Sequence, residues 1–487
     1  MNLIFILIVL LIGCARIPKK DLQAKLSPPI SVERSVHEGI DSGIFTHGDW
    51  PDPEWWMSFD DPQLTLLIKN VLENNPTMGA AEMRAKKAVD EAYVVRAALF
   101  PHLSAEAGVN WQHLSKEDLY RISPSVLPAV IYQLAIGLEL LYDFDLWGKN
   151  KQRYAAALGQ ARSAAAETAQ THLMLSTAAA SGYIDLQTNI QKQEVLLQIL
   201  EKEKDLLALS RLNYENALID LREVKKREAH VSSLDRDIVA NQELIELGKN
   251  FLRTLMGISP DSDVQMLTPT AHYDQIFPLP EHLSLDLLAR RPDIIARVWQ
   301  VESYAHDIRA AQALFYPDLN LRALGGLGSL SWSKWWSKDS LAGSLNPAIH
   351  LPIFVGGQLR ANLDARVAAF EEAVYEYNQA LLQAAKDVAD KISQVESATL
   401  RLEDEKAVAS DEATIFELSY ARERSGLNNR IEVLEREVDY LYARLKVIEI
   451  NDERLKNVVD LIKALGGGFI DHSNKQKEWA EDARNAK

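Results

Sequence analysis

The chain is written twice, and that duplication constrains its fold more than any other feature of the sequence. Shifting it by 216 places lays Asn75-Pro76 over Arg291-Pro292 and Phe100-Pro101 over Tyr316-Pro317. Leu67, Leu72, Ala97 and Leu103 fall on Leu283, Leu288, Ala313 and Leu319 at the same shift. A second shift, of 209, lays Gly148-Lys149 over Gly357-Gln358 and Gly257 over Gly466. The halves therefore differ by a few residues only between the prolines and the glycines. One aligned proline pair could arise by chance; four landmarks in order mark a duplication.

Each half reads alike. Leu64 to Leu99 has a helical pattern broken around Pro76 and Gly79, and Pro101 stops it. A segment of strand character follows, then Gly148 to Leu209, a helix of about sixty residues and hence roughly 90 Å. A break near Asn213 to Asp220 leads to another helix ending at Gly257. The second-half counterparts are Leu285 to Phe315, Leu319 to Phe354, Gly357 to Ser425 and Ile431 to Leu465. Only 18 prolines and 22 glycines in 487 residues favour long elements. Such helices must lie side by side. Alanines crowding Ala155 to Ala169 and Ala178 to Ala180 let helix axes approach closely. An antiparallel coiled-coil stalk satisfies the helical pattern equally well, so the strands have to decide.

From Leu103 the chain alternates: Ala105, Ala107, Val109 and Trp111 share one face, Ser104, Glu106, Asn110 and Gln112 the other. The alternation returns with Tyr132, Leu134, Ile136, Leu138, Leu140 and Tyr142 against Gln133, Gly137, Glu139 and Asp143. A soluble half-buried sheet shows the same pattern. Tyr132 and Tyr142, however, are spaced by roughly 33 Å along a strand. At about 45° tilt this projects to roughly 23 Å, close to the ~25 Å apolar band of an outer-membrane barrel. In the second hairpin Leu319, Leu321 and Ala323 oppose Asn320 and Arg322, and Leu345, Ile349, Leu351 and Ile353 oppose Ser344, Asn346 and His350. Pro347 interrupts that return strand, which a ladder tolerates at an edge or irregularity. Trp332, Trp335 and Trp336 lie near the turn, in an aromatic belt or in a surface-loop cluster. Four strands cannot close a barrel, and an open sheet in lipid leaves backbone groups unpaired. Several copies should therefore share one barrel.

The single cysteine, Cys14, ends an apolar run from Leu3 to Gly13 that is too short to span a bilayer but suits a signal peptide. Leu11-Ile12-Gly13-Cys14 looks like a lipobox, where the thiol is alkylated by diacylglycerol; a plain secretory signal with an incidental cysteine is the alternative. No Lys or Arg precedes the run. A formal net charge of −16 argues against a nucleic-acid partner. No H-E-x-x-H, G-x-S-x-G, Cys/His cluster or phosphate loop is present, which leaves no catalytic residue, metal site or cofactor to assign.

Together these features resemble the outer-membrane efflux protein family, the TolC-like channels, in its lipid-anchored branch. The carrying motifs are Trp55 to Leu64 (WWMSFDDPQL), Leu288 to Pro317 with Arg291-Pro292-Asp293-Ile294, Leu351-Pro352-Ile353-Phe354 before Gly356-Gly357, and Ala464 to Phe469 (ALGGGF). The resemblance implies a mostly α fold with a membrane β part. A homotrimer would form a shared outer-membrane β-barrel continuous with a periplasmic α-helical barrel. It also implies a periplasmic adaptor (membrane fusion) protein and an inner-membrane pump as partners, with lipid of the outer membrane around the barrel. The expected layout is a signal peptide at 1–13, a lipid-anchored extension at 14–63, a first repeat at 64–257 with its β-hairpin at 103–146, an equatorial linker at 258–282, a second repeat at 283–465 with its hairpin at 319–354, and an equatorial tail at 466–487. Ala15 after the cysteine, where aspartate would retain the protein at the inner membrane, implies the outer membrane.

The family's closed periplasmic end carries acidic residues soon after a glycine. By resemblance the run from Gly426 places Glu432 and Glu435 at those gate positions. Three copies of two carboxylates one helical turn apart would make two negative rings that bind cations. An ordinary solvated helix face is the plainer reading, since Arg430, Arg436 and Glu437 are neighbours. The first-half counterpart of that glycine is Ala217, and no gate residue is carried over there. Two rival functions remain in view: a lipid-anchored periplasmic coiled-coil scaffold or adaptor, and a lipoprotein hydrolase that would need a catalytic constellation the sequence lacks. The exported substrate is not legible.

Overall fold

The computed structural model describes residues 22–113, 115, 130–263, 269–273, 277–280, 283 and 290–470. The apolar run, Cys14 and the residues after 470 lie outside the described residues. The elements in chain order are α1 (Glu33–Asp41), β1 (Phe45–His47), α2 (Pro62–Asn74), α3 (Pro76–Arg96), β2 (His102–His113), β3 (Val130–Phe144), α4 (Lys149–Glu215), α5 (Leu221–Leu255), β4 (Phe277–Leu279), α6 (Pro292–Ala313), β5 (Asp318–Ser329), β6 (Leu341–His350), α7 (Gln358–Arg424) and α8 (Arg430–Ala464). The duplication is visible in their lengths. Helices α4 and α7 have 67 residues each, and α5 and α8 have 35 each. None of the four contains a proline.

The chain divides into two compact units. One holds the described residues within 85–163 and 297–376 together with 22–25. Its centre is a four-stranded antiparallel sheet in the order β2-β3-β5-β6. Trp111 pairs with Tyr132, Leu140 with Ala323 and Leu321 with Pro347, so the apolar rows of all four strands fall on one face. The ladder runs through Pro347, because β6 is an edge strand and a missing N–H is tolerated there. It ends at His350 rather than at Phe354; Pro352, two residues on, cannot donate. Asp145 caps α4, its two carboxylate oxygens accepting from the Asn150 and Lys151 backbone N–H groups at 3.0 and 2.8 Å. Small residues allow α4 and α6 to pack closely: a side chain at Gly159 would come within 2.9 Å of Ser303 Cβ, and Ser303 donates to the Ala156 carbonyl at 2.8 Å.

The second unit holds the described residues within 26–84, 164–296 and 377–470. Its main core gathers Trp55, Trp56 and Phe59, Leu64 and Ile68 of α2, Tyr183 and Ile184 of α4, Leu252 of α5, Val388 of α7 and Val459 and Ile462 of α8. Short strands β1 and β4 pair in parallel, Phe45 opposite Phe277. Asp61 is the polar node of this unit. Its carboxylate accepts from the Gln63 and Leu64 N–H groups at the start of α2, from Tyr183 Oη at 2.8 Å and from Thr270 N at 3.0 Å. Burial alone would raise its pKa, but these donors outweigh burial and hold the carboxyl below the usual carboxylate range.

The landmarks of the duplication touch one another in this unit. Asn75 donates to the carbonyl of Leu255, near the end of α5, at 2.8 Å. Arg291, its counterpart, donates to the carbonyl of Ala464, near the end of α8, at 3.2 Å. A side chain at Gly257 would meet the Asn74 carbonyl at 2.5 Å, and one at Gly466 would meet the Arg290 carbonyl at 2.1 Å. The residue before each proline thus closes the last turn of the returning helix, and the glycine lets the backbones meet.

Candidate functional site: a two-faced sheet and two matched helix turns

The sheet of the first unit leaves much of its apolar row exposed, although Leu134 in the same row is fully buried. Leu103, Val109, Trp111, Leu138, Leu341, Leu345 and Ile349 are all exposed, Leu345 to 69% and Ile349 to 72%. The opposite face carries Ser104, Glu106, Asn110, Gln112, Glu139, Asn320, Arg322, Ser344 and Asn346. There Glu139, buried by its neighbours, accepts from Arg322. Aromatic residues mark both ends of the apolar face. Trp111 and Tyr132 pair at one end; Tyr142 and Phe144 contact edge to face, with ring centroids 4.8 Å apart, at the other. An apolar surface of this extent, polar on its reverse and rimmed by aromatics, suits lipid on one side and water on the other. Among the described residues no helix is long and apolar enough to cross a membrane.

In the second unit two helix hairpins close with the same turn. After α4, Ala217 takes a left-handed φ of 57° and Leu218 N–H returns to the Asn213 carbonyl at 2.8 Å. After α7, Gly426 has φ 69° and Leu427 N–H returns to the Arg422 carbonyl at 2.9 Å. Asp220 then caps α5 by accepting from Arg222 N–H, and Asn429 caps α8 by accepting from Glu432 N–H.

Glu432 lies exposed in the first turn of α8, and its N–H is taken up by the Asn429 cap. Glu435, one turn on, is half-buried and ion-paired with Arg227 of α5. Arg227 also bonds Glu203 of α4 at 3.3 Å, and Glu203 is almost wholly buried. His230 Nδ1 lies 3.3 Å from Glu203, and its Nε2 lies 3.3 Å from the Tyr442 hydroxyl on α8. Burial, and then the negative charges of Glu203 and Asp237, raise the Tyr442 pKa above its ordinary value. Farther along the same helices, burial would raise the Glu449 pKa, yet hydrogen bonds from Lys192 and Lys446 outweigh it and lower it. The structure therefore brings Glu435, but not Glu432, into an ion cluster tying α4, α5 and α8. Sequence reasoning missed Glu203 and Arg227, because no local spacing links residues on separate helices to Glu435. Cys14 lies outside the described residues. Among the described residues no group of His, Cys, Asp and Glu is arranged to hold a metal ion.

A sheet with a largely exposed apolar face, combined with long helix hairpins closed by matched turns, defines a membrane channel assembled from a repeated hairpin unit. The chain belongs to the outer membrane efflux protein family, which matches it over residues 67–257 and 283–467. It is 30% identical over 477 residues to the multidrug resistance outer membrane protein MdtP of Escherichia coli K12, covering 94% of each chain. With MdtQ of Escherichia coli O157:H7 it shares 30% over 479 residues, covering 96% of this chain and 97% of that one. Among solved structures it is similar to the outer membrane protein VceC of Vibrio cholerae, with a TM-score of 0.78 and 29% identity over 86% of this chain and all of that one. The protein is thus an efflux channel of the outer membrane, and not an enzyme.

Proposed function

We propose that three copies of the chain form one export duct of a tripartite efflux system. Their hairpins would share a β-barrel in the outer membrane, and their helices would line an α-helical barrel in the periplasm. The observation that carries this reading is the open sheet: β2 and β6 are edges, most of the apolar face is exposed, and four strands close nothing. Three copies would supply twelve strands and satisfy each edge with a neighbour's, in the head-to-tail contact that closes a ring.

Substrates would be handed over by a periplasmic adaptor and an inner-membrane pump that supplies the energy. The relatives named for multidrug resistance make small toxic molecules the favoured cargo. Residues 1–13 would be removed as a signal peptide and Cys14 acylated, with 14–63 leading into the first repeat at 64–257. Segments 258–282 and 466–487 would pack about the equator, on either side of the second repeat at 283–465. Glu432 and Glu435 would form acidic rings at the periplasmic constriction.

The test is planar-bilayer recording on purified trimers, with divalent cations added from the periplasmic side. Small cation-selective steps blocked from that side are expected, together with heat-modifiable migration of the oligomer in sodium dodecyl sulfate. Glu432→Ala combined with Glu435→Ala should lower the cation preference and the block. A folded oligomer that is soluble without detergent would end the channel reading. An unchanged conductance and selectivity in the double variant would end the gate assignment alone.

A further inference from the structure

The loop joining β5 to β6 carries more than an aromatic belt requires. It reads Leu330-Ser331-Trp332-Ser333-Lys334-Trp335-Trp336-Ser337-Lys338-Asp339-Ser340 and is built from two short 3₁₀ turns, Trp332–Lys334 and Lys338–Ser340. Strand β5 leaves α6 and β6 runs toward α7, so the loop sits at the end of the sheet remote from those helices. The ladder from Leu134 opposite Ser329, continued by two residues, brings Tyr132 level with Ser331. The loop therefore stands at the same edge of the apolar face as Tyr132 and its partner Trp111.

The loop is pinned by its own polar groups. The Lys334 carbonyl accepts from Ser337 N–H at 3.0 Å and from the Ser340 hydroxyl at 2.6 Å. Trp335 is wedged between Trp332 and Trp336, with centroids at 5.8 and 5.2 Å, and its Nε1 is buried without an acceptor among the described residues. The two outer rings are left in the open, Trp332 at 57% and Trp336 at 75% exposure. Between and beside them stand Lys334 and Lys338, both exposed and neither ion-paired with a described carboxylate, the adjacent Asp339 included. Exposed indoles favour the boundary between acyl chains and headgroups, whereas ammonium groups favour phosphate. A hydrogen-bonded turn that offers both at the rim of a lipid-facing sheet has the chemistry to hold a lipid by its phosphate.

We propose that this loop binds a phosphate-bearing glycolipid of the outer leaflet, Lys334 and Lys338 pairing with its phosphates while Trp332 and Trp336 pack against its sugar and upper acyl chains. The proposal rests on the membrane reading of the sheet. Full-length detergent-purified oligomer would be titrated with a phosphorylated diglucosamine lipid and with its dephosphorylated counterpart, and bound lipid counted by native mass spectrometry. Two ammonium groups near a phosphate predict a preference of roughly 30-fold for the phosphorylated form. That preference should vanish in Lys334→Gln with Lys338→Gln and persist in Lys334→Arg with Lys338→Arg. Trp336→Ala should weaken both lipids alike. Equal binding of the two lipids by the wild type, or a preference that survives the double Gln change, overturns the proposal. Failure of the membrane reading would show separately, as loss of heat-modifiable migration and conductance in the wild-type protein itself.

Discussion

Ala217 and Asp61 show how single residues carry information that composition hides. Ala217 holds φ 57° in a turn whose twin uses Gly426, so its β-carbon crowds the backbone. Ala217→Gly should stabilise the protein by about 1 kcal/mol, and Gly426→Ala should destabilise it by a similar amount. Thermal unfolding of the two variants reads both signs. The missing glycine looked in the sequence like a lost motif, yet the turn is kept. Asp61 is different, since nothing in its sequence neighbourhood beyond Pro62 announced a node with donors from α2, α4 and the 269–273 segment. Its folded pKa lies below the ordinary value of 3.8, so the stability it contributes is present above that value and is lost as pH falls through the folded one. Asp61→Asn should therefore cost about 2 kcal/mol at neutral pH. The gap between wild-type and variant melting temperatures should then narrow as pH drops below about 4.

At the level of elements, the helices follow the sequence closely because their stops are chemical: proline at Pro76 and Pro292, glycine at Gly148, Gly257, Gly357, Gly426 and Gly466. The face that each strand residue takes was legible for a related reason. Slipping by one residue would turn every leucine of the apolar row to the polar face. Pairings between distant segments were not legible. The parallel contact of β1 with β4 and the Arg227 cluster join residues with no periodic relation. The R-P-D-I motif gained its physical meaning only from the structure. Arg291 is nearly buried, bonds Asp293 through two nitrogens at 3.1 and 2.8 Å, reaches the Ala464 carbonyl and lies 3.5 Å from Asp387 of α7. Asn75, in the matching place, makes the same closure with a neutral amide. Arg291→Gln should therefore cost about 3 kcal/mol, since two carboxylates lose their partner. Asn75→Ala, which strands the Leu255 carbonyl and removes the oxygen that accepts from Thr77 N–H at the start of α3, should cost about 1–2 kcal/mol. Chemical unfolding of the detergent-solubilised oligomer orders the two, and a larger loss at Asn75 would remove the charged closure as the explanation of the motif.

For the whole molecule, the ion cluster changes what the proposed acidic rings can do. If both carboxylates faced the pore uncompensated, each ring would carry three full charges. Glu435 instead spends its charge on Arg227, which Glu203 holds from the other side while His230 lies against Glu203. Glu432 has no such partner among the described residues. The two positions should therefore respond differently. Glu432→Gln should weaken cation preference and divalent block directly. Glu435→Gln should do little to the field and instead loosen the tie between α5 and α8. Removing Arg227 should act in the opposite sense. Arg227→Gln frees the Glu435 charge, and cation preference and divalent block should rise several-fold, while Arg227→Lys, which keeps the charge, should stay near wild type. Because Glu203 is left buried with His230 as its one remaining partner among the described residues, the Gln variant should also lose about 3 kcal/mol of stability, so recordings belong on intact oligomers isolated after heat-modifiability is checked. A fall in cation preference in Arg227→Gln would place Glu435 away from the ion path, leaving Glu432 as the only acidic ring the turn can provide.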